Sequence, residues 1–184
     1  SSGYMQTKWD GAPSVVCGKH PANGMFFVGT KSVFNKTDPK ICYDQNDVDI
    51  HYSDASPDLK SKLKMCIEYF PSLNMDTVCQ GDLLFTSDVK AEDIEGEKLY
   101  TFKPNAITYA IPVNHPIGLA LKKAKIGIVF HTSYTGNEIA TMTAKAGAPK
   151  MKPTADVFLV DNDTPMDDIS VDKSTLSKFE QNIS

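Results

Sequence analysis

Three short β-prone runs separated by turn signals open this chain and commit its beginning to an antiparallel sheet. Tyr4 to Trp9 places β-prone residues at alternate positions, and Asp10-Gly11 behind it is a hairpin-type dipeptide. Ala12 to Cys17 follows at once. The cluster from Lys19 to Gly24 turns the chain, and Met25 to Thr30 returns it as a third strand beside the first two. Lys8 stands just before the first turn, at a strand end where an ammonium can point into a groove instead of into bulk water. Desolvation and cationic neighbours lower a lysine pKa, and only the neutral amine is a nucleophile.

A second constraint sits in Val78-Cys79-Gln80-Gly81-Asp82-Leu83-Leu84-Phe85. This is an apolar strand interrupted by glycine and a carboxylate. A buried carboxylate is costly without a partner, and a glycine in a strand lets another group approach the backbone closely. Elsewhere the elements are more ordinary. Thr37 to Ser53 is polar and aspartate-rich and reads as an exposed loop. Ser56-Pro57 starts a helix with an N-cap serine and a first-turn proline, and Pro71 ends it. Leu59, Leu63, Cys66, Ile67 and Phe70 form its buried stripe, with Lys60, Lys62 and Lys64 on the solvated side.

Glu92 to Lys98 reads as a charged loop. Leu99–Phe102 and Asn105–Ile111 read as β segments, and Asn114-His115-Pro116 as a helix start. That helix would bury Ile117, Leu119, Ala120, Leu121 and Ala124. Ile126 to His131 is a strand of buried type, and Tyr134 to Asn137 turns the chain. Thr143 to Pro153 is lysine-rich and reads as a loop or linker. Asp156 to Asp161 is a further strand, and Ser174 caps a short helix carrying Leu176, Phe179 and Ile183.

Composition narrows the function classes. The 184 residues are 41% hydrophobic and 23% charged, which excludes wholesale disorder and suits one domain over residues 1–184. A net charge of −4 argues against a protein that coats nucleic acid non-specifically. Every basic residue is lysine, so phosphate contacts would fall to lysine, backbone N–H or hydroxyl groups. Cys17, Cys42, Cys66 and Cys79 form no Cys-x-x-Cys pair, which disfavours zinc and suits free thiols in a reducing cytoplasm. No apolar run approaches the ~20 residues of a membrane helix, so no membrane partner is expected.

Lys8-Trp9-Asp10-Gly11 resembles motif I of the covalent nucleotidyltransferases, the superfamily of DNA ligases, RNA ligases and mRNA capping enzymes. In that family the lysine attacks the α-phosphate of a nucleoside triphosphate and carries the nucleotide as a phosphoramidate. Gly29-Thr30-Lys31-Ser32, followed by Val33-Phe34-Asn35-Lys36, looks like the basic, small-residue turn that touches the nucleotide in RNA ligases. Gly81-Asp82-Leu83-Leu84 resembles motif III, whose acid contacts the nucleotide ribose or a metal ion. Aspartate stands here where glutamate is commoner. The strand through Phe130-His131 is similar to motif IIIa, which stacks an aromatic on the base. Phe130 or Tyr109 would be that aromatic, and His131 would line the same pocket. Phage-encoded ligase-like proteins look especially similar over roughly residues 4 to 135.

The resemblance implies an α+β fold: a mixed, mainly antiparallel sheet with flanking helices, like a ligase adenylation domain. It implies ATP with Mg²⁺ in a groove, Lys8 as nucleophile, and Lys31, Ser32 and Lys36 about the phosphates. Asp82 would bind ribose or metal, and backbone groups near Gln6 and Thr7 would read the base. RNA or DNA ends would accept the nucleotide, in a host-cell cytoplasm if the protein is phage-encoded. Ile126-Gly127-Ile128-Val129 has the shape of motif IV without its acid, and Lys150-Met151-Lys152 has the pattern of motif V outside an obvious strand. One reading takes these as degenerate motifs IV and V; the preferred one takes the chain as the front part of a longer protein, with motifs IV and V lying beyond Ser184. Two rival functions stay open: a degenerate, non-catalytic module that binds nucleic acid or a protein, and a guanylyltransferase.

Overall fold

A computed structural model describes residues 12–104 and 106–160, together with the backbone of residues 171–172. The expected strand over Tyr4–Trp9, the Asp10-Gly11 turn and the helix capped by Ser174 lie outside the described residues. The architecture is α+β, with mostly antiparallel sheets and a few helices.

The larger sheet is built on β3 (Val78–Phe85) and β7 (Ile126–Thr135). β1 (Ser14–Lys19) and β2 (Phe26–Gly29) extend it on one side, in the order β2–β1–β3–β7. The far edge of β7 is shared. β8 (Thr143–Ala146) pairs antiparallel along Thr132–Thr135, and β9 (Val157–Val160) pairs parallel along Ile126–Val129. The smaller sheet is antiparallel, with β4 (Lys90–Ile94), β5 (Glu97–Phe102), β6 (Tyr109–Pro112) and β10 (Val171–Asp172) in the order β10–β6–β5–β4.

Several loops expected from composition are regular elements. Within Thr37–Ser53, α1 spans Gln45–His51 behind a capping box in which Asp44 accepts from the Asp47 N–H and Asp47 accepts from the Asp44 N–H. Satisfying both orphan donors is worth about 1 kcal/mol, which offsets the aspartates' poor helix propensity. Glu92–Lys98 is the turn region of the β4–β5 hairpin. Glu95 and Gly96 take φ of 53° and 79°, the double left-handed geometry of a hairpin turn that matches strand twist. Part of the expected Thr143–Pro153 loop is the edge strand β8, exposed along its length.

The helix α2 (Pro57–Tyr69) starts on Ser56 as expected and buries Leu63 and Cys66, with Leu59 and Ile67 packed beside them. Full burial of one such leucine contributes roughly 1.5–3 kcal/mol. α3 (Pro116–Lys123) starts on His115, whose Nδ1 accepts from the Ile117 N–H. Its buried residues are Gly118 and Leu121, whereas Leu119 and Ala120 face solvent, because only a narrow stripe of this short helix meets β5 and β6. No helix among the described residues is long and apolar enough to cross a membrane.

Three apolar clusters fix which sheet face is which. On one face, Val15, Cys17, Cys79, Leu83, Ile128 and Phe130 pack under α1 and α2. On the other face, two clusters stand apart. Leu84, Phe85, Val129, Phe158 and Val160 meet Phe102, Tyr109 and Ile111 of the smaller sheet. Val16, Phe27 and Val78 meet Val33 and Ile139 from two short 3-10 turns, Lys31–Phe34 and Ile139–Thr141.

Candidate functional site

Between those two apolar clusters the same sheet face is polar. Successive residues of β3 on this face are Val78, Gln80, Asp82 and Leu84, so the two polar positions are bracketed by an apolar residue at each end. Ser14 lies opposite Asp82 on β1, and Val129 lies opposite it on β7.

β7 does not keep strict alternation here. Gly81 pairs with Phe130 and Gln80 with Thr132, so His131 is the extra residue of a β-bulge. A bulge re-aims side chains, and this one delivers both His131 and Thr132 to the Asp82 face. His131 Nε2 lies 3.2 Å from Asp82 Oδ1, and His131 Nδ1 lies 2.8 Å from Thr132 Oγ1. The Asp82 and His131 side chains are 18% and 28% exposed. The carboxylate therefore has the partner that its partial burial requires.

Gly81 makes the bulge fit. A Cβ there would meet the Val129 carbonyl oxygen at 2.6 Å and Phe130 Cδ1 at 2.9 Å. The close approach expected at this glycine is thus made by β7 itself.

A second polar row runs beside the first. The Tyr134 hydroxyl donates to Gln80 Oε1, and Gln80 Nε2 donates to Ser14 Oγ at 2.8 Å. Tyr134 packs on Phe34, with ring centroids 4.6 Å apart, and desolvation raises its phenol pKa. Gln80, Ser14, Thr132 and Tyr134 were not singled out from the sequence. Gln80 was legible as the i−2 neighbour of Asp82 on one strand face, and Thr132 and Tyr134 required the bulge.

The turn after β2 rises on this face. Thr30 caps it, its Oγ1 accepting from the Ser32 N–H at 3.3 Å, and Val33 anchors it in the cluster with Val16. Val16 pairs with Gly29, the last residue of β2, and Lys31 opens the 3-10 turn that follows, at the β2 edge of the β2–β1–β3 order. Lys31 and Lys36 are exposed, and Ser32 is half-buried.

Other expected site residues fall elsewhere. Phe130 cannot stack on a ligand beside Asp82, because it points to the opposite face and packs edge-on against Phe70 at 5.8 Å in the helix-covered core. Tyr109 is buried in the cluster between the sheets, stacked on Phe102. Lys150-Met151-Lys152 is also remote. Met151 packs into the helix-side core and the Lys152 N–H donates to the Leu73 carbonyl, so this segment lies by the opposite face. Thr7, Lys8, Asp10 and Gly11 lie outside the described residues. Among the described residues, no group of three or more His, Cys, Asp or Glu side chains is placed to hold a metal ion.

Comparison with curated proteins and with solved structures gave no match. One family model covers residues 1–184, and the chain therefore belongs to the family of unknown function DUF6267.

Proposed function

We propose that this chain is an ATP-dependent nucleotidyltransferase of the polynucleotide ligase type, with Lys8 as the nucleophile. One observation carries the reading. β1, which follows the Lys8-Trp9-Asp10-Gly11 motif after two residues, begins at Ser14 directly across the ladder from Asp82. Three residues lie between Lys8 and Ala12, and the four Cα steps reach at most about 14 Å, so the length of chain allows the lysine to come to the carboxylate of the motif III-like strand. The Gly29–Ser32 turn rising on the same face adds support, because its lysine would meet phosphates near that carboxylate.

The chemistry follows from these groups. The neutral Lys8 amine attacks the α-phosphorus, the bond to the β-phosphate oxygen breaks, pyrophosphate leaves, and the amine proton passes to solvent. Lys31, with Lys36, offsets the charge on the phosphates. Asp82 accepts from a ribose hydroxyl or meets the metal. A single carboxylate suits Mg²⁺, which keeps several waters and is commonly held by one or two carboxylates plus the substrate's phosphates. When bound, the ion withdraws charge from the phosphoryl oxygens. Transfer of AMP from Lys8 to a polynucleotide 5′-phosphate would complete the reaction.

A non-catalytic module on the same scaffold is the second reading. It is favoured by Lys150 and Lys152 lying by the helix-side core, and by the absence of an acid at Ile126–Val129. Incubation with α-labelled ATP or GTP and Mg²⁺, followed by denaturing electrophoresis, separates the readings. Label retained from ATP supports the adenylyl reaction, label retained from GTP shifts it to guanylyl transfer, and no label with either supports the module.

A further inference from the structure

We propose that His131 is a positioning residue that orients Asp82 toward a ribose hydroxyl of the bound nucleotide. The ligand named here rests on the nucleotidyltransferase reading, whereas the pairing of the two side chains rests on geometry alone.

An ionised carboxylate only accepts hydrogen bonds, so the 3.2 Å contact between His131 Nε2 and Asp82 Oδ1 places the proton on Nε2. In the neutral ring Nδ1 is then an acceptor, and Thr132 Oγ1 at 2.8 Å supplies the donor. The bulge brings both residues to one face, so Thr132 fixes the tautomer and His131 fixes the carboxylate. Among the described residues, Asp82 Oδ2 takes no hydrogen bond, which leaves it free to accept from a ligand hydroxyl. Gly81 is part of the device, because only a residue without Cβ lets β7 bulge this close.

The test has two arms on the whole chain. In the first, the nucleotide concentration for half-maximal adduct formation is measured with ATP, 2′-deoxy-ATP and 3′-deoxy-ATP. His131→Ala should raise it about tenfold or more for ATP, the scale of a hydrogen bond to a charged group. It should leave unchanged the analogue that lacks the contacted hydroxyl, and His131→Gln, whose amide N–H can stand in for Nε2–H, should restore most of the preference. Equal losses for all three nucleotides, or no loss, would overturn the positioning role. In the second arm, ¹⁵N-histidine NMR reads the His131 tautomer. A proton on Nε2 is expected in the wild-type chain, with a changed tautomer balance in Thr132→Val. A wild-type Nδ1–H form would overturn the pairing. If wild type uses no nucleoside triphosphate, the nucleotide reading falls and the ribose role falls with it, while the NMR arm still decides the dyad.

Discussion

Ser14 stands directly across the antiparallel ladder from Asp82, and the Pro13 carbonyl continues that ladder by accepting from the Leu83 N–H at 2.8 Å. The described chain thus begins alongside the carboxylate, on a face where polar side chains separate two apolar clusters. Placement of the site follows from this register.

Gly81→Ala should destabilise the fold by about 1–3 kcal/mol, the range for forcing extra volume into a packed interior. The obstructing atom is the Val129 carbonyl oxygen at 2.6 Å, which belongs to backbone and cannot rotate away. Urea denaturation measures it. An unchanged midpoint would mean that β7 does not bulge against β3 as described.

Phe130→Leu should cost stability, roughly 1 kcal/mol for a change of shape in the core, and should leave nucleotide use untouched. Phe130 packs on Phe70, away from Asp82. Paired denaturation and nucleotide-labelling assays check both halves. A selective loss of labelling with full stability would return Phe130 to the site.

Burial, with Asp47 and Asp44 nearby, pushes the Cys42 thiol up to about 12 from 9.0. A raised thiol pKa means that the folded state holds its proton where the unfolded state releases it. The resulting stability is full below about pH 9 and is lost as pH rises from 9 toward 12. Cys42→Ser, scanned by thermal melting between pH 8 and 11, should flatten part of the alkaline decline seen in wild type. Iodoacetamide at pH 8 should label Cys42 only after denaturant is added, and rapid labelling of the native chain would contradict its burial.

Some of this was legible in the sequence. Ser56-Pro57, His115-Pro116 and the alternation around Gly81-Asp82 announced α2, α3 and β3 because capping and period-two patterns are local signals. The face of Phe130 was not legible. Ile126 to Phe130 is apolar at every position, so periodicity assigns no side, and the bulge at His131 then shifts the parity of all that follows. α1 and the β4–β5 hairpin were hidden by charge. Asp44-x-x-Asp47 is a capping box and Glu95-Gly96 a tight turn, yet both sit in stretches whose composition resembles loop.

The central claim is that Lys8 becomes covalently nucleotidylated, and one labelling experiment addresses it directly. The chain is incubated with α-labelled ATP and Mg²⁺, and the label surviving denaturing electrophoresis is counted. Wild type should retain an acid-labile, alkali-stable adduct. Lys8→Ala should abolish it, and Lys8→Arg should abolish it equally, because guanidinium keeps the charge but cannot attack. Lys19→Ala, an exposed lysine at the end of β1, should leave it intact. A wild-type adduct that survives Lys8→Ala, or no adduct with any nucleoside triphosphate, would contradict the account.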